Sequence, residues 1–243
     1  MKPSQLSEWL GQHERRLKNT SYNRYAGFLK QVFEIAVTDR MIAHSPFDAV
    51  KTKWKKPQKP VRQIPTDEQF QAIVKDIRSQ KFSADAEISA DFIEFLGLAG
   101  VGQAEAASLT FADIDWEKNR IQFRRRKTQQ LFYVPIYNHL KPLMQRLCGQ
   151  FPQGTPTAEP VLKVRDAKKA VAASCKRLGY YIFSQRNMRQ ALIRCLWQSQ
   201  VDHKLISKWQ GHQDGGKLIL DTYTEVFSSS DAEYEKAQLA KIV

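Results

Sequence analysis

A run of lysines and prolines in the first quarter of the chain constrains the fold more than any other sequence feature. Positions 51–59 hold five lysines, and prolines stand at 57 and 60. Because proline lacks a backbone N–H and interrupts helices, this run predicts an extended connection between two domains. We therefore expect a small N-terminal domain at 1–56, a basic linker at 57–64 and a larger domain at 65–243.

The same run predicts a partner for the chain. Lysines along an extended backbone can follow a phosphate strand, although they would equally suit a merely soluble linker. Residues 1–64 contain 13 Lys and Arg against 5 Asp and Glu, within a chain of net charge +13, so a quarter of the length carries more than half of the excess. We expect a polyanionic partner, with nucleic acid as the first candidate. The lysines that would contact DNA are Lys51, Lys53, Lys55 and Lys56.

Cysteine usage and hydropathy exclude several other classes of protein. The three cysteines are far apart, with neither the spacing of a zinc site nor that of a disulfide framework. That usage is typical of a reducing compartment, so we expect a cytoplasmic protein without a metal or cofactor. No apolar run approaches the roughly 18 residues that a membrane helix needs, and no membrane partner is expected.

The N-terminal domain is predicted to be helical. After a short helix at 4–17, residues 20–38 place apolar side chains at steps of three and four, which builds one apolar face. Arg24 and Lys30 fall off that face, so they either contact phosphate or are simply solvated. The apolar face is expected to contain Tyr22, Tyr25, Phe28, Leu29, Val32, Phe33 and Ala36.

The larger domain is predicted to be mainly α with a small β-sheet, an α+β fold. Thr66-Asp67-Glu68-Gln69 forms a capping box that opens a helix through about residue 78. Residues 120–124 and 131–136 alternate in polarity and predict a β-hairpin. Further helices are expected at 86–99, 103–110, 138–148, 164–178, 203–210 and 231–242, with another around residues 186–192.

Basic side chains mark two of these elements. The hairpin tip holds Arg125, Arg126 and Lys127, which can enter a DNA groove, supply a proton to a leaving oxygen, or form an exposed turn. Arg186 and Arg189 are three residues apart, so on a helix they share one face.

A glycine-broken stretch near the C-terminus holds a histidine and a tyrosine. Gly211 and the pair at 215–216 interrupt the backbone, and the apolar residues 218–220 are expected to be buried and to anchor the tyrosine that comes after them. His212 and Tyr223 can then form a nucleophile and its hydrogen-bonding partner. Taken alone, a tyrosine such as Tyr223 is more often a half-buried packing residue.

Taken together and in order, these segments resemble the tyrosine recombinases, the phage-integrase family. Residues 99–115 resemble its first arginine box, which usually reads Thr-Gly-Leu-Arg-x-x-Glu-Leu-x-x-Leu-x-Trp-x-Asp-Ile-Asp. The other matching segments are Arg126-Lys127-Thr128 with Val134-Pro135-Ile136 (the lysine hairpin), Arg186-Asn187-Met188-Arg189 (where the family has His-x-Leu-Arg), Gly211-His212 (Leu-Gly-His) and Asp221-Thr222-Tyr223 (the nucleophile motif).

The resemblance implies a helical DNA clamp and a catalytic domain that needs neither metal nor ATP. Tyr223 would attack a DNA phosphodiester and form a 3′-phosphotyrosine, while Arg189 and His212 hold the phosphate. Lys127 would protonate the leaving 5′ oxygen, and Glu105 would support the site. The C-terminal helix would pack on a neighbouring protomer, and the reaction would recombine DNA, as in the integration of mobile elements.

Two positions depart from the family pattern. The family's first arginine falls at Gly102, in the break between the helices predicted at 86–99 and 103–110, and its histidine falls at Arg186. Losing one charge-stabilising donor typically costs on the order of 10²–10³ in rate. Arg186, Arg125 or Arg126 would have to restore the positive charge.

Three hypotheses arise from these departures. The chain is a site-specific recombinase or integrase, impaired or not, or it is a catalytically inactive DNA-binding protein on a recombinase scaffold. The third hypothesis is a helical DNA-binding regulator in which Tyr223 is a core residue. The N-terminal domain is short for the family, being either naturally small or truncated.

Overall fold

In the computed structural model, the chain forms two compact units, Met1–Val61 and Arg62–Val243. The structure describes residues 1–52, 54–57, 63–125, 128–149, 157–223 and Leu239, with the backbone alone at 221–223. The boundary between the units falls inside the linker predicted at 57–64. Most of that linker, 58–62, and Lys53 lie outside the described residues.

The N-terminal unit is built on two helices. Helix α1 spans Pro3–Arg16, helix α2 spans Asn19–Thr38, and a 3₁₀ turn spans Pro46–Ala49. Both helices were predicted from apolar spacing, and both are confirmed. The core of the unit consists of Leu6, Leu10, Tyr22, Ala26 and Phe47.

The predicted apolar face of α2 is wrong in part. Tyr22 and Ala26 are buried, and Leu29 and Phe33 pack against them. These four residues follow one another at steps of four and three, so they form one stripe, and the other apolar residues fall beside it. Helix α1 and the 3₁₀ turn cover only the stripe that begins at Tyr22. The exposed residues are Tyr25, Phe28, Val32 and Ile35, of which Ile35 was not among the predicted set.

The first part of the lysine-rich run is docked on α2. The Asn23 side chain donates to the Lys55 carbonyl at 2.7 Å and accepts from the Lys55 N–H at 3.0 Å. Asn19 donates to the Lys56 carbonyl at 2.8 Å. Residues 55 and 56 are therefore fixed against the N-terminal unit, within the domain predicted at 1–56.

The larger unit is mainly helical, as predicted. The capping box at its first helix is confirmed: the Gln69 N–H donates to the Thr66 hydroxyl, and the Thr66 N–H donates to the Gln69 side chain. Three helices are shorter than predicted, at 103–107, 141–149 and 168–177. The helices are α3 (Asp67–Arg78), α4 (Ala86–Ala99), α5 (Gln103–Ala107), α6 (Lys141–Gly149), α7 (Lys168–Arg177), α8 (Gln185–Gln198), α9 (His203–Trp209) and α10 (Lys217–Tyr223).

A three-stranded antiparallel sheet accompanies the helices. The predicted hairpin is confirmed as strands β2 (Arg120–Arg124) and β3 (Leu131–Pro135), and a two-residue strand β1 (Ile114–Asp115), which was not predicted, pairs with β2. Phe123 lies opposite Phe132, and both are buried in the main core. One face of the hairpin therefore packs on the helices, as the alternation in the sequence requires.

An acidic pair on α4, of which Asp91 is buried and Glu94 is partly exposed, joins three helices of this unit. Asp91 on α4 accepts from Arg78 of α3 at 2.6 Å and from Arg146 of α6 at 2.7 Å. Glu94, one turn further along α4, accepts from the same two arginines, and Glu87 contacts Arg78 from its exposed position. Only 3% of the Asp91 side chain is exposed, so its charge depends on both arginines.

Candidate functional site

The last residue before the glycine turn, Gln210, connects two arginines. Its carbonyl oxygen accepts from Arg125 Nη2 at 2.6 Å and from Arg189 Nη2 at 3.3 Å. Its side-chain Oε1 accepts from Arg189 Nε at 2.7 Å. Since Gln210 is only 1% exposed, both guanidinium groups are held against a buried part of the chain.

Each arginine is delivered by a regular element. Arg189 lies in the first turns of α8, beside the fully buried Met188, and α8 packs along α4. Arg125 follows β2, in which Ile121 and Phe123 are buried. Because side chains alternate along a strand, Arg125 continues the buried side, and Arg124 points to solvent.

Gly102 precedes a helix, in agreement with the helix predicted from residue 103. It is the residue before α5, and its φ of −76° and ψ of 162° are extended values that any residue adopts. A Cβ atom at Gly102 would overlap Glu105 Oε2 and would lie 3.6 Å from Arg189 Nη1. The position of the family's first arginine thus adjoins Arg189, and the Glu105 carboxylate fills the space.

Glu105 faces the second arginine of the cluster. Its Oε1 lies 4.0 Å from Arg125 Nε, and only 13% of its side chain is exposed. A carboxylate this close orients a guanidinium and compensates part of its charge.

His212 lies beside the two arginines and is half-buried. Burial, together with the positive charges of Arg189 and Arg125, lowers the pKa of His212 from 6.5 to about 4, against a smaller opposing effect of Asp214. His212 is therefore neutral near pH 7, and it can donate one hydrogen bond and accept another.

The turn that follows His212 is fixed by Asp214. The Asp214 carboxylate accepts from the Ser207 hydroxyl at 3.1 Å, from the Gly216 N–H at 3.1 Å and from the Leu218 N–H at 2.8 Å. Although burial raises the pKa of Asp214, these hydrogen bonds lower it more, so the carboxylate stays charged. It therefore ties the start of α10 to α9.

Helix α10 is anchored by fewer apolar residues than predicted. Ile219 is buried and packs with Ile193 and Ile206. Leu218 is 47% exposed and Leu220 is 37% exposed, so the expectation that residues 218–220 are all buried is wrong. A helix presents only one of three consecutive residues to the core, whereas the sequence prediction treated the segment as a buried run. Tyr223 ends α10, and its side chain lies outside the described residues.

The remaining predicted residues fall into three groups. Arg186 is exposed on α8 and does not join Arg189 at Gln210. Lys55 is engaged within its own unit, where its ammonium contacts Glu14 and the ring of Tyr22. Lys30 is paired with Glu34 on the surface of α2. Arg24, Lys51 and Lys56 are exposed, whereas Lys53, Arg126, Lys127 and the C-terminal helix, apart from Leu239, lie outside the described residues.

Two residues of this site were not predicted from the sequence: Gln210, which holds both arginines, and Asp214, which fixes the turn after His212. One signal was present: the family motif reads Leu-Gly-His, whereas this chain has glutamine before Gly211. A polar residue at an apolar position indicates a buried hydrogen bond. Asp214 gave no comparable signal.

Three buried polar atoms of the site have no hydrogen-bond partner among the described residues. They are Arg125 Nε, Gln210 Nε2 and His212 Nδ1. Buried polar groups are nearly always paired, so such a concentration favours a polar ligand at this place. In the part of the chain that the structure describes, no three His, Cys, Asp or Glu residues are grouped to hold a metal ion. Nor does any helix there have the length and apolar character to cross a membrane.

Comparison with known proteins relates the fold to integrases. The sequence matches no protein-family model and no curated protein. Among solved structures, the integrase of transposon Tn1549 in complex with transposon right end DNA has a TM-score of 0.71 at 20% identity, over 97% of this chain and 85% of that one. A lambda integrase dimer bound to a COC′ core site has a TM-score of 0.69 at 15% identity, over 88% of this chain and 80% of that one. A lambda integrase tetramer bound to a Holliday junction has a TM-score of 0.66 at 14% identity, over 88% and 65%.

The chain has the fold of the tyrosine recombinase integrases. The helices with one small antiparallel sheet, predicted from the sequence, are the architecture that these structures share with it, and the family resemblance is supported at the level of the fold.

Proposed function

We propose that this protein binds double-stranded DNA and transfers DNA strands through a phosphotyrosine, as a recombinase of the tyrosine type. One observation carries the proposal: Arg189 and His212, far apart in sequence, lie together beside Gln210, on a fold shared with integrases solved on DNA. A guanidinium and a neutral imidazole at one place suit a phosphodiester, since both donate hydrogen bonds to its oxygens.

The proposed chemistry assigns one role to each residue. The Tyr223 hydroxyl gives up its proton to solvent as its oxygen attacks phosphorus, the bond to the 5′ oxygen breaks, and that oxygen takes a proton from Lys127. Arg189 and His212 stabilise the charge on the non-bridging oxygens. Attack by a second 5′ hydroxyl reverses the step and releases Tyr223, so no ATP is consumed.

The N-terminal unit and the C-terminal helix would complete the assembly on DNA. Arg24, Lys51 and Lys56 are exposed, so they can contact phosphates, and residues 1–56 would clamp the duplex opposite the catalytic domain. The known structures on DNA include a dimer and a tetramer of lambda integrase. We expect this chain to associate on DNA likewise, through residues 231–242.

A covalent-adduct assay tests the proposal. Duplexes that bind the full chain are first selected from a random library, and the selected duplex is then nicked so that the cleaved end diffuses away. We expect a protein–DNA adduct that survives denaturation, and none with Tyr223→Phe. Tight duplex binding without an adduct at micromolar protein would refute strand transfer.

A non-cutting DNA-binding protein is the second candidate, and one observation favours it. The place of the family's first arginine is occupied by the Glu105 carboxylate next to Gly102, which adds negative charge where a phosphate would bind. On this hypothesis, Tyr223→Phe and the parent chain bind the selected duplex equally, and neither forms an adduct.

A further inference from the structure

The site lacks a guanidinium at one defined place. Two arginines commonly share a phosphate, since each fork can bind two oxygens. A side chain starting at Gly102 would begin 3.6 Å from Arg189 Nη1, so a second guanidinium belongs beside Arg189. Arg186, the nearest candidate in sequence, is exposed and makes no contact with Gln210.

Arg125 reaches this place from the sheet. Its Nη2 donates to the Gln210 carbonyl, to which Arg189 Nη2 also donates. The two guanidinium groups therefore share one acceptor atom. The distance between their Nη2 atoms cannot exceed the sum of these two hydrogen-bond lengths. In the family's first arginine box, a glutamate follows three residues after the arginine. The corresponding residue here, Glu105, lies against Arg125.

The surroundings hold Arg125 in a fixed position. Only 24% of its side chain is exposed, and its guanidinium lies 5.9 Å from the ring centre of Phe132. Its backbone N–H donates to the Gln130 carbonyl at 2.8 Å, which closes the base of the hairpin tip. Its Nε is buried and has no hydrogen-bond partner among the described residues. Such an arginine is pre-organised for an anion, because few rotamers remain to be lost on binding.

We propose that Arg125 is the second phosphate-binding arginine of this site, supplied by the end of β2 in place of the turn before α5. This inference rests on the proposed function and names a residue that contacts the same phosphate as Arg189. Arg125 and Arg189 each donate to a non-bridging oxygen, while the Gln210 carbonyl holds both groups from behind. Glu105 lies against Arg125 and compensates part of its charge.

Inorganic phosphate is a probe that requires neither cleavage nor a known DNA site. The full chain, labelled in histidine rings, is titrated with phosphate at low ionic strength, and the His212 signal is assigned by its loss in His212→Gln. We expect saturable shifts in the parent chain and binding weaker by about tenfold or more in Arg125→Ala, because one charge-assisted hydrogen-bond donor is lost. Arg124→Ala, the exposed neighbour, should bind as the parent does.

A second variant separates phosphate binding from a packing role. Arg125→Met keeps the apolar stem over Phe132 but removes the charge, so it should lose phosphate affinity as Arg125→Ala does. Adding Gly102→Arg to Arg125→Ala should restore most of the affinity, since it places a guanidinium beside Arg189 from the other side. Undiminished binding in Arg125→Met, or no saturable binding in the parent, overturns the proposal. Absence of a Tyr223 adduct bears on strand transfer alone, because the titration involves no cleavage.

Discussion

Replacing Gln210 by leucine should weaken phosphate binding without weakening the fold. The substitution removes the acceptor of Arg189 Nε, and a hydrogen bond to a charged group contributes about 1.5–3 kcal/mol. It also removes the Gln210 Nε2 amide, which is buried without a partner among the described residues and costs about 1–3 kcal/mol. The two effects nearly cancel, so the free energy of unfolding should change by no more than about 1 kcal/mol.

Phosphate binding should respond differently, because only one of these effects concerns Arg189. Without its side-chain acceptor, Arg189 keeps the Gln210 carbonyl but loses the contact that fixes Nε. We expect the phosphate affinity to fall about tenfold, which corresponds to roughly 1.4 kcal/mol. Urea unfolding followed by circular dichroism measures the free energy of unfolding. The phosphate titration of the His212 ring signal measures the phosphate affinity.

Gln185 provides a matched control for this experiment. It too is a buried glutamine with one amide atom bonded, to Asp166 at 2.7 Å, and the other unpartnered among the described residues. Gln185→Leu should leave the phosphate affinity unchanged. If Gln210→Leu binds phosphate as tightly as the parent, the positioning role of Gln210 is wrong. Equal losses in both variants would attribute the effect to general loosening.

Three further predictions concern the stability of the fold and the salt dependence of duplex binding. The fold depresses the pKa of His212 from 6.5 to about 4, so between those values the unfolded chain binds a proton that the folded chain excludes. Stability should therefore fall as the pH is lowered through that window, and His212→Gln should remove this part of the decline in urea unfolding. Asp91→Ala, which leaves two arginines short of an acceptor, should cost about 3 kcal/mol in the same assay, against less than about 1 kcal/mol for the exposed Glu87→Ala. Lys56→Ala should reduce the salt dependence of duplex binding by about one unit of the log–log slope, whereas Lys55→Ala should change it less because Glu14 engages that ammonium.

Local patterns explain why much of the fold was predictable. The capping box at Thr66, the apolar spacing of α4 and the alternation of β2 each depend on residues a few positions apart. Such patterns carry their own geometry, since the periods of helix and strand differ. The hairpin and helices α1 to α4 were therefore predicted close to their observed bounds, whereas α8 is longer than predicted and α10 was not predicted as a helix.

Contacts between distant segments explain what the sequence could not provide. Gln210 is hydrogen-bonded to Arg125, 85 positions away in sequence, and to Arg189, 21 positions away. No periodicity or motif in the sequence predicts these contacts. The exposed stripe of α2 likewise depends on how much of the helix α1 covers, which apolar spacing alone does not determine.

The shared acceptor of the two arginines is a main-chain atom, so a displacement of the backbone at this position would affect both arginines at once. Every residue that replaces Gln210 keeps the carbonyl oxygen that receives Arg125 and Arg189. A small shift of α9 would move that oxygen together with His212, which lies two positions further along the chain. Both guanidinium groups would then lose their alignment at once, so a partner that displaced α9 could switch phosphate binding off as a single unit.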